Sequence, residues 1–181
     1  MFPLTESAQK ELLTLARQFI RDFLLTGRKN IQHSANPELQ VRSGAFVTLH
    51  NGGKLRGCIG MVSPAEPLFE TVQECAASAA AADPRFETVT LSELEQITIE
   101  ISVLSPLEPV NDISRIEVGT HGLIISHHGR RGLLLPQVAT EHQWDCEMFL
   151  EQTCRKAGLP LNAWRSGAEI MVFTAFVFGE K

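Results

Sequence analysis

No run of 18 apolar residues occurs in this 181-residue chain, so no helix is expected to span a membrane. The N-terminus lacks a basic segment followed by an apolar core and a small-residue cleavage site, so no secretory signal is expected. The expected location is the cytoplasm, where Cys58, Cys75, Cys146 and Cys154 stay reduced. No two of them have the C-x-x-C spacing, which argues against a structural zinc site, and no metal ligands are assigned. H-E-x-x-H, a P-loop, G-x-G-x-x-G and G-x-S-x-G are all missing, so the cofactor is unknown. Positive charge is also short. Sixteen Lys and Arg against 21 Asp and Glu give a net charge of −5, which argues against general nucleic-acid binding. Low-complexity tracts and fixed-period repeats are absent.

What is present describes a globular protein. Apolar residues make up 44% and charged residues 20%, enough to bury a core in one domain or in two small lobes. Residues 5–26 carry Leu12, Leu13, Ala16, Phe19, Ile20, Phe23 and Leu24 at helical spacing, with Thr5 as a cap and Gly27 as a stop. Residues 28–44 are polar and read as a long loop with a turn of helix. A hairpin follows: a strand at 46–50, a turn at Asn51-Gly52-Gly53 and a return strand at 54–60. Residues 67–82 read as an alanine-rich helix ended by Asp83-Pro84. In 97–104, Ile97, Ile99, Ile101 and Val103 alternate with Thr98, Glu100, Ser102 and Leu104, which is strand spacing. Two or three short strands follow, with turns at His121-Gly122 and near Gly129. Residues 139–158 read as one helix, with Thr140 as cap and Gly158 as stop, and 169–180 as one closing strand. No regular alternation of strand and helix runs through this order. The fold class is therefore α+β, a mostly antiparallel sheet with flanking helices.

The chemistry centres on "KLRGCIG", residues 54–60. Residues two apart on a strand share a face, so Arg56 is expected beside Cys58, where a guanidinium would stabilise a thiolate. Gly57 and Gly60 weaken a strand, and they admit either a ligand or another piece of backbone. Two readings stand: a cleared space around a reactive thiol, or a buried thiol with glycines making room for the alanine-rich helix. Glu100 lies on a solvated face or faces a cleft, and could pair with Arg56 if their strands are neighbours. His50 falls on the opposite face in the simplest hairpin register, which weakens it as a base. Arg85, in "DPRF", could pair with Asp83 or close a cleft. His127, His128, Arg130 and Arg131 form a basic turn that suits an anion, or a solvated surface. Cys75, Cys146 and Cys154 read as core.

"GAFVTL", which contains Thr48, then "LRGCIG", "DPRF", "EISVLS", "GLLLPQVA" and "KAGLP" occur in an order that resembles the AMMECR family, called AmmeMemoRadiSam system protein A in prokaryotes. The resemblance runs from about residue 8 to residue 178 and implies a single domain over 1–181, built as two unequal lobes with a cleft at the "LRGCIG" strand. The catalytic candidates are Cys58, Arg56 and Glu100. The binding candidates are Gly57, Gly60, Thr48, Arg85, His127 and Arg131. The resemblance implies Memo-type and radical-SAM proteins as partners, beside a small molecule or peptide in the cleft. Two functions follow from different classes: a cysteine-dependent enzyme, or an adaptor that binds a ligand or protein.

Overall fold

The structure is a computed structural model and describes residues 4–180. The chain divides into two compact units. The first runs to Leu104 and takes in the C-terminal strand from Phe176. The second is Ser105–Ala175.

In the first unit, α1 (Glu6–Thr26) begins where the Thr5 side chain accepts from the Ala8 N–H and ends at Gly27, which is left-handed at φ 68°. The hairpin consists of β1 (Ala45–Asn51) and β2 (Lys54–Met61). Gly52 and Gly53 have φ of 57° and 76°, as the primed two-residue turn requires. α2 (Leu68–Ala81) and a single turn, α3 (Leu91–Leu94), precede β3 (Ile97–Leu104). The chain's last strand, β8 (Ala175–Gly179), completes a sheet of order β2-β1-β3-β8. β1 pairs antiparallel with both β2 and β3.

Alternation decides which face of this sheet is core. Val47 and Leu49 of β1 and Ile97, Ile99, Ile101 and Val103 of β3 are buried against Leu12, Ala16 and Ile20 of α1 and Val72, Ala76 and Ala79 of α2. The opposite face carries Phe46, Thr48 and His50 of β1, with Thr98, Glu100 and Ser102 of β3 across from them. The loop over 28–44 contains one short 3-10 turn, Pro37–Leu39. It is fastened to α2 by the fully buried Gln73, whose amide oxygen accepts from the Gln32 N–H and whose amide nitrogen donates to the Gln32 carbonyl, both at 2.8 Å. One buried amide thus stands in for a pair of strand hydrogen bonds.

The second unit holds β4 (Glu108–Pro109), β5 (Gly122–His127), β6 (Arg130–Leu134) and β7 (Glu169–Phe173) in the order β4-β7-β5-β6, all pairs antiparallel. Leu123, Ile125, Ile170 and Val172 pack against Phe149, Leu150 and Cys154.

The order of elements is α+β with antiparallel sheets, as the sequence implies. Two long runs are broken, however. The helix expected over 139–158 is two: α4 (Pro136–Glu141) and α5 (Cys146–Lys156). Gln143 between them is left-handed at φ 55°, which no α-helix accommodates. Asp145, not Thr140, caps the second helix by accepting from the Met148 N–H, while the Thr140 hydroxyl donates to the Gln137 carbonyl. The closing strand expected over 169–180 is also two, β7 and β8, which belong to different sheets. His121-Gly122 is not a hairpin turn either: Gly122 already opens β5, and the hairpin bends at His128-Gly129.

Candidate functional site

The site begins with a defect in the hairpin. From the turn, Asn51 faces Lys54 and His50 faces Leu55, but Leu49 then faces Gly57. Arg56 is the extra residue of a β-bulge. A one-residue slip exchanges faces for everything beyond it. In an unbulged hairpin Cys58 would face Val47 and point into the core. Here it faces Thr48, and Gly57 takes the inward position. His50 consequently shares the face of Thr48 and Cys58, which corrects the expectation that it lies opposite. The same bulge keeps Arg56, the extra residue, from the inward position opposite Leu49 that an unbulged hairpin would give it.

The two glycines have separate steric reasons. A Cβ on Gly57 would lie 2.2 Å from the Ala79 carbonyl oxygen of α2, so the absent side chain is where the helix backbone sits. A Cβ on Gly60 would lie 2.3 Å from the ring of Phe46, its cross-strand neighbour. Neither glycine opens space at the sulfur.

Cys58 is half-buried. The Thr48 hydroxyl lies 3.3 Å from its sulfur and donates to it. Because β2 is an edge strand, the Cys58 N–H points away from β1, and it donates to Asp83 Oδ2 at 2.9 Å. A buried carboxylate thus closes an otherwise open sheet edge. Asp83 is the residue that stops α2, and "DPR" folds into a turn in which the Arg85 N–H donates to Asp83 Oδ1 at 3.1 Å. The Arg85 side chain doubles back with Nε on Oδ1 at 3.0 Å and Nη2 on Oδ2 at 2.7 Å. The Asp83 side chain is 2% exposed and that of Arg85 55%. The Arg85 hydrogen bonds hold the Asp83 carboxyl far below its ordinary range, against the opposing effect of burial. Arg85 is raised in turn, chiefly by its bond to Asp83, with a smaller electrostatic contribution from the Cys58 sulfur.

Arg85 is thus linked to the Cys58 backbone through Asp83. Arg56 turns to Glu93, with Nε on Oε1 at 2.5 Å and Nη2 on Oε2 at 3.1 Å. That pair lowers the Glu93 carboxyl below its usual value. Arg56 Nη1 is buried with no hydrogen-bond partner among the described residues. Both guanidiniums lie near the ring of Phe86, Arg56 at 5.9 Å and Arg85 at 5.4 Å from its centroid. Glu100 faces Thr48 from β3 and is half-buried. Its backbone lies two strand spacings, roughly 10 Å, from that of Cys58, and among the described residues it forms no ion pair with Arg56.

His127 and Arg131 lie in the second unit on the β5–β6 hairpin, where Ser126 faces Arg131 and His127 faces Arg130. His128 at φ 47° and Gly129 at φ 77° form its turn. Arg130 Nη1 donates to the Gly158 carbonyl at 2.6 Å. Among the described residues no three His, Cys, Asp or Glu side chains gather to hold a metal, and no helix is long and apolar enough to cross a membrane.

Sequence reasoning passed over Asp83 as the holder of Cys58 and Glu93 as the holder of Arg56. The first left a signal, since Asp-Pro-Arg is a turn former whose carboxylate accepts from the residue two ahead. The second pair joins residues 37 apart, which nothing local reveals.

An antiparallel α+β protein with a thiol on the outer face of its hairpin sheet, edged by two arginine–carboxylate pairs, is what these observations define. The AMMECR1 family model matches residues 13–178, and the chain belongs to that family. A protein of Methanosarcina mazei is 41% identical over 187 aligned positions, covering 98% of this chain and 94% of the relative. One of Methanothermobacter thermautotrophicus is 46% identical over 166 positions, covering 87% and 86%. The crystal structure of an uncharacterized protein from Pyrococcus horikoshii is 38% identical and matches with a TM-score of 0.92, covering 99% of this chain and 95% of that one.

Proposed function

We propose that this protein is a cysteine-dependent cytoplasmic enzyme whose substrate is an anionic electrophile, with Cys58 as the nucleophile. One juxtaposition carries the reading. Cys58 shares an edge with Arg85, whose guanidinium is anchored by a buried carboxylate yet keeps an exposed side. The Asp83 bonds occupy Nε and Nη2, so the rest of the fork is the natural seat for a substrate carboxylate or phosphate. The deprotonated sulfur attacks an electrophilic carbon and forms a C–S bond. The carbon's bond to its leaving group breaks with its electron pair, and the thiol proton passes to solvent. Thr48 orients the sulfur through its hydroxyl. Arg56 is a positioning residue, held by Glu93 with Nη1 still to be satisfied. Memo-type and radical-SAM proteins are the partner classes to test, on the resemblance alone.

The test compares two alkylating reagents of similar size, anionic iodoacetate and neutral iodoacetamide, with rates at Cys58 read by peptide mass spectrometry. A guanidinium near the bound anion is worth about 1 kcal/mol in water, so the iodoacetate-to-iodoacetamide ratio should exceed that of free cysteine about fivefold. Arg85→Gln should return it to the free-thiol value. A wild-type ratio at or below that of free cysteine removes the anion-binding role.

A second reading rests on the same strand. Leu55 and Met61, near the ends of the edge strand β2, are 42% and 38% exposed, which suits an adaptor that docks a partner there. Partner capture that survives Cys58→Ser and is lost in Leu55→Asp would favour it.

A further inference from the structure

The second unit carries a cavity of its own, of about 320 Å³, lined by Leu134, Trp144, Gln152, Arg155 and Lys156. Its size falls at the lower end of small-molecule sites. Two features set it apart from a chance hollow. The indole is held in place before any ligand arrives. Gln143, just ahead of it, is in the left-handed conformation at φ 55°, a costly state for a residue with a side chain. The Trp144 backbone N–H donates to the Ala139 carbonyl at 2.9 Å, which fixes the main chain that carries the ring. The ring stacks on His142 with centroids 4.7 Å apart and planes 16° from parallel. The second feature is charge. Arg155 and Lys156 both line the cavity, both are exposed, and neither enters an ion pair among the described residues. Cations in the last turn of α5 complement the helix dipole, but that effect asks for no indole beside them and no cavity.

We infer that this cavity binds a small molecule combining a planar ring with an anionic group, of the nucleoside monophosphate class. The ring packs between Trp144 and Leu134, and the anion is taken by Arg155 and Lys156. The Gln152 amide lies at the cavity wall, where it can meet polar atoms of the ring. Stacking on an indole is tolerant of ring identity, and the arginine fork suits a phosphate.

The experiment is calorimetric titration of the full chain at low salt with AMP, adenosine and inorganic phosphate. AMP should bind at least tenfold more tightly than either fragment, because it alone uses both halves of the site. The double variant Arg155→Gln, Lys156→Gln, whose side chains are exposed, should keep its circular dichroism spectrum and weaken AMP at least tenfold. Trp144→Leu should weaken AMP by a similar factor. No heat from AMP at millimolar concentration overturns the inference. So does phosphate binding as tightly as AMP, which would leave a charged patch without a ring site. Unchanged AMP affinity in the folded double variant overturns it as well.

Discussion

Replacing Gly57 with alanine adds one methyl group where β2 meets α2. The new Cβ would stand 2.2 Å from the Ala79 carbonyl oxygen and 3.1 Å from its carbonyl carbon. Ordinary contact begins near 3.4 Å, so strand and helix must part by roughly 1 Å. The obstructing atoms are backbone in the middle of the fold, and no rotamer change relieves them. Separation also disturbs Val72, Ala76 and Ala79 in the core they share with β1. Overpacking of this kind costs about 1–3 kcal/mol, and the rigid neighbour puts Gly57→Ala near 3. For a chain of this length the melting temperature falls by about 6–12 °C. Gly60→Ala is the control. The atoms nearest its Cβ all belong to the Phe46 ring, a half-buried side chain that can swing aside, so about 1 kcal/mol is expected. Urea denaturation of both variants beside wild type measures the difference. Equal losses, or a loss below about 0.5 kcal/mol for Gly57→Ala, would refute the claim that this glycine exists for the helix.

Two further perturbations follow from the local geometry. Asp83 has a folded-state pKa depressed below its ordinary 3.8, so its contribution is complete above that value and is lost as pH falls below it. Asp83→Asn should therefore flatten the acid limb of the stability–pH curve measured by denaturant midpoint between pH 2 and pH 7, and an unchanged limb would contradict the assignment. At α5, Asp145→Ala removes the cap and should cost about 1 kcal/mol, whereas Thr140→Ala should be nearly neutral in thermal melts. The reverse order would restore the single unbroken helix.

Much of the first unit is written locally in the chain. Thr5 and Gly27 bound α1, Gly52-Gly53 supplies the positive φ of the hairpin turn, and the alternation in β3 names its buried face. The motifs around "LRGCIG" identify the family. What local reading lost lies beyond one element. The bulge at Arg56 answers to two demands at once: α2 must approach β2 at Gly57, and a charged residue must stay out of the core. Only the assembled sheet and helix express that conflict. The break at Gln143 is invisible for a similar reason, since nothing about glutamine announces a left-handed conformation. Residues 170–178 are apolar but for Thr174, and hydropathy alone does not say that the run serves two sheets. At the site, the pattern located the thiol and Arg56, but it gave no sign of the Asp83 bridge that links Arg85 to the Cys58 backbone.

The central claim is that the bulge delivers one thiol, Cys58, to chemistry while the other three serve packing. Burial pushes the Cys75 thiol up to about 12, leaving about one part in a hundred thousand ionised at pH 7, and it raises Cys146 and Cys154 as well. The most direct measurement is the rate of iodoacetamide modification of each cysteine in the native protein at pH 7, resolved by peptide mass spectrometry. The account predicts modification of Cys58 at least tenfold faster than of any other cysteine, and its loss in Cys58→Ser with no new site labelled. Cys58 reacting as slowly as Cys75 would make it a packing residue and contradict the account.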